Sequence, residues 1–425
     1  MYLVDYFMKI IVVGAGLQGL TTAYFLKQQG HSVLVIDRQN GPGLETSFAN
    51  GGMLTPSQSA PWNNPEMLRN VFKLLYSNHA PLKIHPAAFF SSLPWMLNFI
   101  KNSSIKHFSL NQEKNYLLAQ YSQQQLRTLR EELNLKYDLA KRGTLKIFRS
   151  LNDMKQGVEL CKSLHNSEIN YNVVNQDEIL KLEPALEHVI NNIFGGIYFP
   201  DDESGDAYKF CQSIYSNLTP DVEFSFNTNV IQLVRKNDQI TGIETSKGLV
   251  SSDIYVLAAG SYSKYLGKSV GLKIPIEPVK GYSATVSVLS SDDIPKLPVI
   301  DETRHIAITP FSNRFRIAGM AELCGYNTRI SKKRINTLVG FLKELYPQYS
   351  KEVSRLDVIP WSGLRPYCSD GVPVLGDCEI GNLYLNTGHG HLGWTMSVGS
   401  SRLVTDQILD KQSDIDPMPY NINRF

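Results

Sequence analysis

The spacing of apolar and polar positions changes several times along the chain and divides it into elements. Lys9–Val13 (KIIVV) is an unbroken, β-branched run, the pattern of a strand buried on both faces. Leu20–Gln29 continues with helical spacing until Gly30 stops it, and Ser32–Ile36 (SVLVI) is a second buried strand. Asn115–Leu133 sets Leu118, Tyr121, Leu126, Leu129 and Leu133 on or near one side of a helix. Thr144–Phe148 starts a strand after Gly143. Asn152–Leu164 and Gln176–Leu182 are helical, the second stopped by Pro184. Val222–Phe226, Val230–Val234, Ile240–Thr245 and Ile254–Ala259 follow as strands separated by turn residues. Val279–Val288 and Ile306–Ala318 are β-rich with a hairpin turn near Ser312-Asn313, and Ser331–Leu345 is a helix ended by Pro347. Leu383–Asn386 is a last strand, Thr387–Trp394 a glycine-rich turn, and Thr395–Leu409 a helix.

This order predicts an α/β fold with an α+β second domain. A Rossmann-like dinucleotide-binding domain is interleaved with a substrate domain built on a largely antiparallel sheet. A length of 425 residues fits two domains. Residues 1–61, 200–275 and 360–425 are assigned to the first domain, and 62–199 and 276–359 to the second.

Chemistry concentrates in three places. Ile10, Ile11, Val12 and Val13 lead straight into Gly14-Ala15-Gly16-Leu17-Gln18-Gly19, and Asp37-Arg38 ends the next strand, with Asp37 23 residues after Gly14. Strand–turn–helix–strand–acid order lends weight to a G-x-G-x-x-G that would be weak alone. Gly14 allows the turn, Gly16 lets backbone approach a pyrophosphate, Gly19 lets helix and strand pack, and Asp37 suits ribose hydroxyls. An ordinary βαβ core with glycines at a turn is the other reading. Glu45–Ser57 follows, where Ser47 and Asn50 can reach phosphates and Gly51-Gly52-Met53 can pass close to a flat ring. Near the other end, Trp361–Gly376 holds Arg365 before Pro366, a loop guanidinium suited to bidentate carboxylate capture. In Leu383–Trp394, His389 and His391 lack a carboxylate or cysteine at metal-ligand spacing. Gly388, Gly390 and Gly393 instead shape a tight loop before Trp394 and Thr395. The helix N-terminus beyond suits the negative charge of a reduced flavin. Acyl transfer at a nucleophile elbow, P-loop phosphoryl transfer and H-E-x-x-H zinc hydrolysis have no motif here.

Charge and composition narrow the partners. Forty-two Lys plus Arg nearly cancel 40 Asp plus Glu, so no overall field favours nucleic acid. Five scattered cysteines without C-x-x-C spacing fit a reducing compartment. No secretory signal or bilayer-spanning run is read in the sequence, and Met8 is an alternative start behind an extension of seven residues. Phe89–Ile100 (FFSSLPWMLNFI) is the most apolar stretch, flanked by Lys83, Lys101 and Lys106. Packing onto its own core is preferred, because Pro94 interrupts any single helix. A surface segment dipping into a membrane, with Trp95 and the lysines at the headgroups, is the alternative.

With these pieces in place, the sequence resembles the D-amino-acid oxidase and glycine oxidase superfamily of flavoenzymes, and within it the small subunits of bacterial D-amino-acid dehydrogenases. The resemblance spans Met8 to about Leu409. Beyond the glycine turn it rests on Glu45-Thr46-Ser47 with Ala49-Asn50, His79-Ala80-Pro81-Leu82, Gly143-Thr144-Leu145 and Leu182-Glu183-Pro184-Ala185-Leu186. It continues through Lys280-Gly281-Tyr282-Ser283, Gly319-Met320-Ala321-Glu322, Gly363-Leu364-Arg365-Pro366 and Asn386-Thr387-Gly388-His389-Gly390. It implies FAD along Ile10–Tyr24 with Asp37 on the adenosine ribose; Val230 and the Ala259-Gly260 turn are assigned to the same site. It also implies oxidation of D-amino acids such as D-alanine to 2-oxo acids and ammonia, by hydride transfer from Cα to flavin N5. Electrons would then pass to a quinone or another respiratory acceptor. The cellular place expected is the cytoplasm, with peripheral contact at the inner membrane as an option.

Two departures from the family stand out. Cys368-Ser369-Asp370 replaces the Thr-Pro-Asp common in relatives. Cys368 is also displaced from the place, near Gly363, where covalently flavinylated relatives carry a cysteine, so FAD is expected to be non-covalent. Arg365 is assigned the substrate carboxylate, with Tyr282 as a second donor. Arg304, His305, Met320 and Glu322 either line the pocket or pack within strands. The competing activities are an oxygen-using glycine or sarcosine oxidase, a catalytically silent flavoprotein subunit and a nicotinamide dehydrogenase.

Overall fold

The structure, a computed structural model, describes residues 7–65, 82–164, 169–287, 295–350, 353 and 358–425. The extension before Phe7, the His79-Ala80-Pro81 part of the quoted motif and Val288 lie outside the described residues.

Lys9–Val13 becomes the centre of a six-stranded sheet, between Ile254–Leu257 and Ser32–Ile36, both parallel to it. Leu383–Thr387 and Val374–Asp377 extend one side, the last pair antiparallel, and Glu223–Ser225 closes the other. The central strand is apolar throughout because both faces are covered. Ile10 and Val12 pack with helices Leu17–Gln28 and Ser397–Ile408. Ile11 and Val13 pack beneath the three-stranded antiparallel sheet of Val230–Lys236, Gln239–Thr245 and Gly248–Val250.

A nine-stranded, mostly antiparallel sheet forms the second half. Its strands run in the order Val358–Cys368, Ile276–Ser287, Arg314–Leu323, Ile306–Phe311, Val299–Asp301, Thr144–Phe148, Gly195–Phe199 and Asn172–Val174, with Leu82–Ile84 paired to Arg314–Leu323. Helix Lys332–Leu345 covers one face of it through Ile335, Leu338, Leu342 and Leu345. The boundary expected at residue 360 falls inside a strand of this sheet, since Val358–Cys368 pairs along its length with Ile276–Ser287. The chain returns to the six-stranded sheet only at Val374.

Two helices differ from expectation. Ile105–Leu133 begins ten residues before Asn115, capped by Ser104, whose hydroxyl accepts the His107 N–H. Pro86–Lys101 runs through Pro94 without breaking. Tertiary anchors offset the lost donor: Ser92 donates to Glu277 at 2.7 Å, and the Trp95 indole donates to the Tyr367 carbonyl at 2.9 Å.

The loop after Cys368, where Ser369 stands in place of the proline expected from the family resemblance, is braced from outside. Arg424 pairs with Asp370 at 2.8 Å and donates to the Val372 carbonyl at 2.7 Å, while Asn111 and Asn115 donate to the carbonyls of Asp370 and Gly371. Both members of the Arg424–Asp370 pair are largely buried, with side chains 13% and 6% exposed. Removing one partner strands a charge, so Arg424→Ala is expected to cost about 3–5 kcal/mol of stability, read as a lower urea midpoint at unchanged m.

Candidate active site

One cavity of about 1500 Å³ is lined by residues of both large sheets and their connections, Asp37, Arg365 and Met320 among them. At the nucleotide turn, a Cβ on Gly19 would sit 1.8 Å from the Gly14 carbonyl oxygen, so only glycine lets the helix approach the turn this closely. Asp37 is fixed by its own backbone surroundings: Ala15 N–H donates to one oxygen at 2.7 Å and Gln39 N–H to the other at 2.8 Å. Burial raises its pKa, against those two donors.

The segment after this turn is bolted to the larger sheet. Ser283 donates to the Ala49 carbonyl at 2.7 Å, Arg316 to that of Asn50 at 3.1 Å and Thr309 to that of Gly51 at 2.6 Å. Three consecutive carbonyls are thereby held, while the N–H groups of Ala49, Asn50 and Gly51 have no partner among the described residues. Arg316 is itself held by Asp206 at 3.3 Å. Ser47 accepts the Leu17 N–H at 3.3 Å, which joins the segment to the helix N-terminus.

Arg365 was expected in a loop and lies instead within Val358–Cys368, opposite Val279. Its guanidinium crosses Gly281, where a Cβ would fall 2.3 Å from it. One arm donates to the Met320 carbonyl at 3.0 Å, and the Trp62 ring lies 5.5 Å from its centre. Met320 has φ +64, a left-handed conformation rare for such a residue, at a register shift between the strands of Ile276–Ser287 and Arg314–Leu323. This bulge accompanies the turning of its carbonyl onto the guanidinium. Among the described residues Arg365 forms no ion pair, and desolvation alone lowers its pKa to about 10.

Tyr282, expected as a second carboxylate donor, is among the residues lining the cavity, but its hydroxyl is directed elsewhere. Strand alternation turns it away from Gly281, and its hydroxyl donates to Glu322 at 2.9 Å. Glu322 also pairs with Lys280 and Arg334 under helix Lys332–Leu345, and not in the cavity. Arg304 likewise faces Asp301 at 3.1 Å, whereas His305 and Met320 do line the cavity.

The glycine-rich loop contributes backbone and rings without a charge. Burial lowers His389 to about 3, its Nε2 lying 2.9 Å from the Ser400 hydroxyl, and lowers His391 to about 4. His391 stacks on Trp62 at 5.2 Å, and Trp62 stacks on Tyr367 at 4.9 Å, forming an aromatic wall beside Arg365. No sequence signal links these three, which come from separate segments. Of the residues assigned to the cofactor, Val13, Gly14, Gly16, Leu17, Gln18, Asp37, Arg38, Ser47, Asn50, Gly51, Gly52, Met53, Val230, Ala259, Gly260, Arg365, His389, Gly390, His391, Gly393 and Trp394 line the cavity. Ile10, Ile11, Val12, Ala15, Gly19, Gly388 and Thr395 do not; they shape or support the lining from behind, as when Thr395 accepts the Thr55 N–H at 3.1 Å. Among the described residues no three His, Cys, Asp or Glu side chains converge as metal ligands.

Residues 9–407 match the family model described as FAD dependent oxidoreductase. The chain belongs to this family. It is 39% identical over 419 residues to the D-amino acid dehydrogenase of Allorhizobium ampelinum, covering 98% of this chain and 99% of that one. The fold is similar to that of L-proline dehydrogenase from P. horikoshii, with TM-score 0.77 at 18% identity, covering 99% of this chain and 98% of that one. It is also similar to glycine oxidase from Geobacillus kaustophilus, with TM-score 0.74 at 21% identity, covering 98% and 99%.

The residues present fit the cofactor of this FAD-dependent oxidoreductase family. The glycine turn, the helix N-terminus at Leu17, the Asp37 carboxylate and the uncommitted N–H groups at Ala49–Gly51 line or border one continuous cavity. Arg365 shares that cavity and offers a half-buried cation to an anion.

Two outcomes follow for a simple carboxylate such as propionate, titrated against the flavin spectrum. Gly281→Ala should retain flavin and weaken propionate binding by about 10²-fold, through displacement of the guanidinium. The anion needs the charged guanidinium, whose pKa is depressed. Binding should therefore hold through the neutral range and weaken as pH rises past about 10.

Proposed function

We propose that the protein oxidises D-amino acids, D-alanine among them, to 2-oxo acids and ammonia. In this reading FAD is bound without a covalent link and electrons leave to a respiratory quinone. The observation that carries it is the Arg365 guanidinium, without an ion-pair partner among the described residues, in the same cavity as the dinucleotide turn. The full-length relative named D-amino acid dehydrogenase supports the substrate class, and a dehydrogenase name supports an acceptor other than oxygen.

Arg365 binds the substrate carboxylate and exchanges its incomplete solvation for a charge-assisted pair. Gly281 leaves it room, and the Met320 carbonyl and Trp62 fix its direction, so substrate orientation is the main contribution of the chain. The aromatic wall of Trp62, His391 and Tyr367 limits water beside the clamp. A nearby cation and a dry cavity both disfavour the substrate ammonium, so the amine reacts in its neutral form, its lone pair assisting loss of hydride from Cα. FAD, when bound, supplies the hydride acceptor at N5. Water then adds to the imino acid, which releases ammonia and the 2-oxo acid.

Cys368 is buried at the end of the clamp strand and does not line the cavity, which supports a non-covalent cofactor. Five free cysteines support a cytoplasmic setting. The division proposed along the chain assigns the cofactor to 1–61, 200–275 and the segment after Cys368, and the substrate to the remainder.

Purified enzyme is expected to reduce a dye with D-alanine and to release its flavin on acid denaturation. Arg365→Ala should keep its yellow colour and lose about 10²–10⁴-fold in kcat/KM. Peroxide formed rapidly from glycine, without dye-linked D-alanine turnover, would reject the assignment; unchanged turnover in Arg365→Ala would reject the clamp.

A further inference from the structure

Helix Pro86–Lys101 has two apolar sides, and only one is covered. Ala88, Ser92 and Trp95 face inward, where Trp95 joins a cluster with Val279, Leu323 and Tyr367. Phe89, Phe90, Leu93, Leu97 and Ile100 follow the spacing of the opposite face and are exposed, Phe90 by 79% and Leu97 by 59%. Ile105, just beyond the helix, is 74% exposed. Packing onto the protein's own core, the reading preferred from sequence, therefore accounts for the inner face alone. A contiguous row of phenylalanine, leucine and isoleucine on the surface of a monomer marks a docking site.

The charge around this row selects the partner. From Leu82 to Gln112 the chain contains no Asp or Glu, whereas Lys83, Lys101 and Lys106 flank the apolar face and are all exposed. Apolar side chains with basic flanks and no acidic residue complement an anionic bilayer surface, into which a helix lying flat inserts one side. Among the described residues no helix is long and apolar enough to cross a membrane, so contact at the interface is the mode open to this helix. The same patch borders the cavity: Leu82 and Ile105, at either end of the helical stretch, both belong to its lining. Docking there would bring an opening of the cavity to the lipid surface.

We propose that the outer face of Pro86–Lys101 is the surface by which the protein docks on an anionic membrane. Trp95 is not an anchor at the headgroups, as its indole is buried against Tyr367. This inference rests on the reading above only for its purpose, delivery of electrons to an acceptor dissolved in lipid; the surface itself is tested without that chemistry.

The test is co-sedimentation of the holoenzyme with vesicles of phosphatidylcholine, with and without phosphatidylglycerol. Wild type should bind the anionic vesicles, and less at high salt. Phe90→Glu combined with Leu97→Glu should reduce binding by about tenfold or more, while D-alanine turnover with a water-soluble dye is unchanged and turnover with a lipid-dissolved quinone falls. Lys101→Glu with Lys106→Glu should remove the preference for anionic lipid. Equal sedimentation of the Phe90/Leu97 variant and wild type would overturn the proposal. So would wild type that stays in the supernatant, or a wild-type dimer that ignores vesicles and that the same variant turns into a monomer. Dye-linked turnover reports separately on the proposed activity, so the two failures cannot be confused.

Discussion

A half-buried guanidinium with no counter-ion among the described residues is held at a cost, and contacts from both sheets hold the strand that carries it. Arg365 gains a single carbonyl from Met320 and a ring face from Trp62. The neighbouring Leu364 carbonyl accepts hydroxyls from Thr46 at 2.9 Å and Ser261 at 3.1 Å. One peptide unit beside the clamp is thus tied to both the segment after the nucleotide turn and the turn after Ile254–Leu257. That junction links the strand carrying Arg365 to both segments beside the nucleotide turn.

The strand Ile276–Ser287 separates two electrostatic environments. On one face, Gly281 leaves an open track for an unpaired cation. On the other, Lys280, Tyr282, Glu322 and Arg334 close into a satisfied network under a helix. Charges that balance one another behind the sheet leave the guanidinium in front with no counter-ion among the described residues. The neutral imidazoles of His389 and His391 add nothing to that field at ordinary pH.

How much could be read beforehand follows from how local each signal is. The nucleotide unit was legible because a β-branched run, a glycine turn, a helix and a second strand are adjacent in sequence. Arg365 was identified by residue type, but its place in a strand was not, since a proline next to it suggested a loop. Tyr282 illustrates the period-2 rule: its neighbour Gly281 faces the guanidinium, so Tyr282 had to face away, and only knowledge of the facing strand reveals this. The Met320 bulge leaves no compositional trace, because a left-handed methionine is imposed by pairing. Pro94 was overweighted, since local helix breaking yielded to the distant anchors at Glu277 and Tyr367.

The order of strands in the six-stranded sheet also constrains how the chain reaches its native state. Lys9–Val13 pairs with Ile254–Leu257, which in turn pairs with Leu383–Thr387. The first of the described strands to emerge during synthesis must therefore wait, one edge open, until some 240 further residues have been made. Such non-local pairing slows folding and leaves a sticky intermediate. The six-stranded sheet can thus be complete only after Leu383–Thr387 has been made, and until then the strand–helix–strand unit from Lys9 to Ile36 keeps one edge open.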